Sequence, residues 1–192
     1  AIGLSFANVL RAMLRQDPDI VMVGEIRDEE TGSIAVRASL TGHLVLSSLH
    51  TNNAVAAITR LMDMGVKPFL LASSLSLVIG QRLVRRICQH CVVTYQPEEA
   101  ALQALELASD KTFYRGEGCV HCNYTGFRGR VAIMELLPVS KEMRGLISTQ
   151  ASEDTLWEQA LKDNMVPMRR AGAYKVDKNL TTPEEVIAAT VV

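Results

Sequence analysis

The sequence lacks most of the features that settle a function at a glance. It has no surplus of either charge: 20 Lys and Arg stand against 21 Asp and Glu, a formal net charge of −1. No global basic surface is available to neutralise phosphates, which argues against tight nucleic-acid binding. It has no long hydrophobic run either. The longest apolar stretch, Pro68 to Gly80 ("PFLLASSLSLVIG"), carries three serines and is too short to span a bilayer. It reads as a buried helix, and no membrane insertion is expected. No basic segment is followed by an apolar one with a small-residue cleavage site, so no secretory signal is read, and Ala1 reads as the edge of a trimmed, longer chain. Internal repeats and low-complexity tracts are absent. So is Gly-x-x-x-x-Gly-Lys-Ser/Thr, the loop whose backbone N–H groups and lysine cradle a nucleotide's phosphates.

What is present suits a globular α/β chain. With 192 residues, 48% of them apolar, the chain can hold one substantial core and a small appendage. Leu4 to Leu14 has helical spacing with Arg11 and Arg15 on one face, and Asp17-Pro18-Asp19 stops it. Ile20 to Val23 is a short apolar run without alternation, which predicts a parallel strand covered on both faces. Asp28 to Leu40 predicts a helix ending at Thr41-Gly42. His43 to Leu49 ("HLVLSSL") predicts a second strand, and Thr51-Asn52-Asn53 caps a helix from about Ala54 to Met64 that Gly65 stops. This strand-helix-strand-helix order implies a parallel sheet.

Ligands of such sheets sit beyond the carboxyl ends of the strands. With Val23 and Leu49 ending neighbouring strands, Glu25 and His50 would converge there. Glu25 has a plain reading, as a solvated loop residue or a partner for Arg27, and a sharper one, as a carboxylate that holds Mg²⁺ or polarises a hydrolytic water. His43 and His50 are an odd number of residues apart, so a regular strand would point them to opposite faces. His50 is the candidate for sensing a phosphate; His43, at the leading end of the strand, reads as structural or as a subunit contact.

Beyond Arg86 the character changes. Two knuckles, Cys88-Gln89-His90-Cys91 and Cys119-Val120-His121-Cys122, form a zinc-ribbon-like arrangement in which four thiolates close a tetrahedron. A fully thiolate site leaves no open position for water, so the metal would be structural, stapling a loop-rich subdomain. The rival reading is two disulfides or unrelated buried thiols. With four sulfurs available, His90 and His121 read as bystanders. Between and after the knuckles, Pro97 to Ser109 predicts a helix and Arg130 to Leu136 a strand. The tail from Ser140 reads as helical throughout, with start signals at Ser152-Glu153-Asp154 and Thr182-Pro183-Glu184-Glu185. Arg82, Arg85 and Arg86 ("QRLVRR") read either as a face toward a neighbouring subunit or acidic partner, or as a solvated basic edge.

"LRQDPDIVMVGEIRDEET", "TGHLVLSSLHTNNA", "QRLVRRIC", the two knuckles, "GFRGRVAIMELLPVS" and "TTPEEVIAAT", in this order, resemble the secretion ATPase superfamily, in particular the bacterial type II secretion and type IV pilus assembly ATPases. Retraction ATPases of the superfamily generally lack the knuckles, so the resemblance points to the secretion or pilus-extension branch. It implies the later part of a RecA-like P-loop ATPase domain in residues 1–87, a tetracysteine zinc subdomain in 88–130, and a returning strand with a helical C-terminal region in 131–192. It implies a cytoplasmic homo-hexamer, peripheral at the inner membrane through a platform and cytoplasmic adaptor proteins, that uses ATP, Mg²⁺ and structural Zn²⁺. Gly24 and Glu25 would match the Walker B element, His50 and more weakly His43 the His box, and Arg130 a residue near the nucleotide base. Arg130 also has a plain reading as a surface charge beside the knuckle.

Where an acid pair often closes the Walker B strand, Gly24 takes one place, leaving two roles open for Glu25, metal holding or water activation. The phosphate loop, its lysine and the acidic segment linked to the catalytic base would precede Ala1, so these residues by themselves are not expected to hydrolyse ATP. The alternative from another class is a stand-alone zinc-ribbon interaction module on an α/β scaffold. Arg85, Arg86, Arg128 and Arg130 would supply its basic face, against which Glu117, Glu135 and the near-neutral total count.

Overall fold

The computed structural model describes residues 5–190; Leu4, at the start of the first predicted helix, lies outside them. Chain contacts divide the described residues into two compact units, one of residues 5–78 and Leu136–Met165, the other of Ile79–Glu135 and residues 166–190.

In the first unit, α1 (Phe6–Leu14) starts where the Ser5 hydroxyl accepts the Asn8 N–H at 3.2 Å. β1 (Ile20–Val23) and β2 (Leu44–Ser47) pair in parallel, Ile20 opposite Leu44 and Val23 opposite Ser47. Between them runs α2 (Glu29–Leu40), capped by Asp28, whose carboxylate accepts the Thr31 N–H at 2.8 Å. Val21 and Val23 are buried among Leu10 of α1, Ile34 of α2 and Val45. Side chains alternate along a strand, so Ile20 and Met22 face the other way, and they are 62% and 76% exposed. The expectation of a strand covered on both faces is therefore corrected: among the described residues the helices cover one face only. β2 is also shorter than predicted.

α3 (Ala54–Asp63) begins at Asn53, whose side chain accepts the Ala56 N–H at 2.7 Å. Gly65, at φ +94°, reverses the chain after it, a conformation glycine adopts without steric cost. α4 (Pro68–Ser74) has proline in its first turn. The returning segment adds α6 (Lys141–Ser148) and α7 (Glu153–Lys162), capped by Ser140 and Ser152. Val55 and Ile58 of α3, Leu71 of α4, Met143 and Ile147 of α6 and Leu156 of α7 form the main core.

The predicted helix from Pro68 to Gly80 is corrected: it ends at Ser74 and the chain is a strand from Leu77. The Ser73 and Ser74 hydroxyls donate back to the Phe69 and Leu71 carbonyls, a local bonding habit that competes with helix continuation. Leu75 is already extended, at ψ 126°.

In the second unit, β3 (Leu77–Ile87, from Ile79 onward) and β6 (Phe127–Pro138, to Glu135) form a two-stranded sheet, and β4 (Val92–Tyr95) pairs antiparallel with β5 (Phe113–Gly116). β6 runs past both ends of the predicted strand. α5 is only Glu99–Ala104, shorter than the predicted Pro97–Ser109 helix. Glu106 enters the left-handed region at φ 53°, and the Leu107 N–H turns back to the Leu102 carbonyl at 3.0 Å, which closes the helix. Leu102, Leu105 and Phe113 pack with Ala173 and Val176 of α8 (Met168–Asp177) and Val186 of α9 (Pro183–Thr190). Buried Glu135 on β6 accepts the Met168 N–H at 3.0 Å and so caps α8, which follows Pro167 and has no side-chain cap of its own. No described helix is long and apolar enough to cross a membrane.

The α8–α9 contact depends on a glycine. A Cβ at Gly172 would sit 2.2 Å from Cγ1 of Val186, whereas one at Gly145 of α6 would meet nothing within 4 Å. Gly172→Ala should therefore lose stability: overpacking against a stiff β-branched side chain costs about 1–3 kcal/mol, more than the roughly 1 kcal/mol gained in helix propensity. Gly145→Ala should keep that gain. Urea midpoints of the two variants check the contrast.

Candidate functional site

The parallel β1–β2 ladder carries two loops to one end of the sheet. Beyond the last paired residues, Val23 and Ser47, the tips stay tied: the Ile26 N–H donates to the Ser48 carbonyl at 3.1 Å and the Ser48 hydroxyl to the Gly24 carbonyl at 2.7 Å. Between these bonds sits Glu25. Its carboxylate takes Arg27 Nη2 at 2.7 Å on one oxygen and His50 Nε2 at 3.2 Å on the other. The hydrogen bond from Arg27, opposed by desolvation and assisted by the Arg27 charge and then by His50, holds the Glu25 carboxyl below its ordinary range. A Cβ at Gly24 would meet nothing within 4 Å, so the backbone beside Glu25 is open to close approach.

The structure thus brings Glu25 and His50 together and leaves His43 elsewhere. His43 Nδ1 lies 3.0 Å from the Ala38 carbonyl and 3.2 Å from Thr41 Oγ1, at the leading end of β2, where it ties the strand to the last turn of α2. Ser48 is the residue the sequence reading passed over; its position within "LSSLH" was the available signal. A carboxylate and an imidazole in hydrogen-bond reach at the carboxyl ends of parallel strands can hold a hard cation through the acid and move a proton through either group.

Arg130 lies exposed on β6 of the second unit. In that unit Arg85 is already engaged. Its backbone N–H and Nε donate to Glu185 Oε2 at 3.1 and 2.9 Å, and its guanidinium lies 4.3 Å from the Phe127 ring centroid.

The four cysteines of this unit are free thiols whose sulfurs all lie within 4.8 Å of one another. Cys88 and Cys119 are 3.9 Å apart, Cys91 and Cys122 3.9 Å, and Cys119 and Cys122 3.8 Å. A disulfide needs about 2.05 Å, so that reading does not fit. A tetrahedral zinc with bonds of about 2.3 Å separates its sulfurs by about 3.8 Å, which does. Backbone N–H groups of Cys119 and Gly126 donate to the Cys122 sulfur at 3.2 and 3.3 Å, and that of Gly118 to Cys91 at 3.3 Å. Burial pushes the Cys122 thiol up, but those two backbone donors together with the Cys119 and Cys91 side chains bring it down to about 6; burial, opposed by the Gly118 N–H and assisted by the other three cysteines, carries Cys91 to about 12. Four thiolates at this spacing repel one another unless a cation sits among them. His90 and His121 are not part of the sulfur cluster; their rings stack on each other, centroids 4.1 Å apart.

The knuckles come together because two backbones touch. A Cβ at Gly116 would lie 2.1 Å from the Gly126 carbonyl oxygen, and Gly126 is at φ +76°.

The family model described as "Type II/IV secretion system protein" matches residues 1–188. The chain is 50% identical to the type IV pilus assembly ATPase PilB of Thermus thermophilus, covering 98% of this chain and 22% of that protein. To type II secretion system protein E of Pseudomonas aeruginosa it is also 50% identical, with coverage of 98% and 38%. Among solved structures, the pilus retraction motor PilT with bound ADP aligns at TM-score 0.67 and 30% identity over 96% of this chain and 43% of that one. The α/β fold is thus similar to that of this motor, and the chain spans less than half the length of each of these relatives.

Because the folded-state pKa of Glu25 is depressed, its pairing contributes stability that is fully present above the unfolded value of about 4.3 and is lost as pH falls through the folded one. In a carbon-detected NMR titration Glu25 should titrate below an ordinary glutamate, and Arg27→Gln should move its midpoint upward.

Proposed function

The chain belongs to the type II/IV secretion system protein family, and from that premise we propose that it is the C-terminal part of a motor ATPase powering type II protein secretion or type IV pilus assembly. The observation that carries the reading is the meeting of Glu25 and His50 at 3.2 Å beyond neighbouring parallel strands, where α/β sheets place their ligands. In the complete protein Glu25 holds Mg²⁺ or activates the attacking water, His50 responds to the terminal phosphate, Gly24 lets the backbone approach, and Arg130 flanks the base. His43 serves that site only through the turn it anchors. That the retraction motor PilT binds ADP supports a nucleotide as the ligand of the longer protein.

Residues 1–87 are read as the later part of a RecA-like domain, with the phosphate loop supplied by a longer protein. The bare apolar face of Ile20, Met22, Leu44 and Leu46 fits a piece of a larger sheet. Residues 88–130 are read as a subdomain that Cys88, Cys91, Cys119 and Cys122 hold around a structural Zn²⁺, and residues 131–192 as the returning strand and helical region. The working assembly is a cytoplasmic hexamer docked on an inner-membrane platform and its adaptor proteins. A stand-alone zinc-ribbon module would account for the cysteines and leave the Glu25–His50 pair and the end-to-end family match without a purpose.

Metal analysis paired with an ATPase assay tests this. The 192-residue chain should contain one zinc and release no phosphate from Mg-ATP. In the longer protein, Glu25→Gln should lower kcat by about 100-fold or more while zinc content stays the same. Undiminished turnover in that variant would remove Glu25 from the mechanism.

A further inference from the structure

The two cysteine turns face each other in register. Cys88 meets Cys119 and Cys91 meets Cys122, each pair 31 residues apart. His90 and His121 share that separation and form a rung of their own, rings stacked at 4.1 Å with 29° between their planes. Both histidines are exposed and directly precede the cysteines of the Cys91–Cys122 rung. The cluster that could hold an ion is made of the four cysteines without either histidine, and four sulfurs already fill a tetrahedral shell.

We propose that His90 and His121 are positioning residues: an aromatic clamp that joins the two knuckles across the metal site and slows release of the ion. The proposal rests on reading the four cysteines as a zinc site. A metal leaves such a site when one turn swings away from the other, or when a competing ligand enters between them. Separating Cys91 from Cys122 also pulls the adjoining rings apart, so the stack must break on that path. Other ties remain between the turns: the Glu117 N–H to the Cys91 carbonyl at 3.0 Å, the Gly118 N–H to the Cys91 sulfur, and the Cys88 N–H to the Gly126 carbonyl at 2.9 Å. The clamp therefore adds to the barrier against release that these ties already raise, while ligation belongs to the sulfurs.

The test is release of zinc from the 192-residue chain to excess chromogenic chelator at fixed pH, for the parent, His90→Ala, His121→Ala, His90→Phe and His121→Phe. Cobalt-substituted samples report the ligand set. All should carry one metal and show the same four-sulfur cobalt spectrum. The alanine variants should lose zinc about two- to tenfold faster, the range expected for removing one aromatic pair. The phenylalanine variants, which keep a ring face without a nitrogen, should stay near the parent. Alanine variants releasing at the parental rate would overturn the clamp. So would phenylalanine variants as fast as alanine, or a cobalt spectrum that changes when a histidine is replaced. A parent chain that holds no zinc would instead overturn the reading of the cysteines, and the clamp with it.

Discussion

The site in the first unit depends on parallel pairing of two four-residue strands. A register that sets Val23 opposite Ser47 puts the next residues of both strands side by side, and the two bonds from Ser48 and Ile26 prolong the contact past the ladder. Glu25 is held between these bonds rather than left on a free loop. A slip of one residue would turn Glu25 and His50 to different sides, because side-chain direction reverses with each step along a strand. Burial of Val21 and Val23 against α1 and α2 prevents that slip, so the core residues of β1 fix where Glu25 and His50 meet.

The legible parts of the molecule were those written in local chemistry. Asp28, Asn53, Ser140 and Ser152 cap helices because a short oxygen-bearing side chain reaches the first free N–H groups, and each begins its helix where that rule places it. Gly65 stops α3 for a conformational reason that needs no tertiary context. The cysteine spacing likewise announced a closed cluster, and the sulfurs lie at the matching separations. Glu25 and His50 were singled out by strand-end position, and the geometry brings them into contact.

What was not legible depended on neighbours distant in sequence. The serines in the run from Pro68 to Gly80 weaken the helix locally, but the run carries no alternation, and that a strand takes over from Leu77 follows from pairing of β3 with β6. The length of α5 is set by Glu106, whose left-handed backbone is tolerated because Leu105 and Leu107 then reach Leu102 and Phe113. The half-covered β1 could not be told from a fully covered strand, since Ile20 and Met22 are as apolar as Val21 and Val23, with which they alternate. The Arg85–Glu185 pair joins residues 100 positions apart, beyond the reach of any local pattern.

The contact between Gly116 and Gly126 sets a different kind of limit on this fold. Where two main chains lie against each other, any side chain longer than a hydrogen atom forces them apart, and the shift passes through Gly126 to the N–H that serves the Cys122 sulfur. A thiol can be replaced by another donor at some loss of affinity, but neither glycine has a substitute that fits the same gap. Mutational tolerance in the cysteine subdomain is therefore narrowest at the two residues that have no functional group.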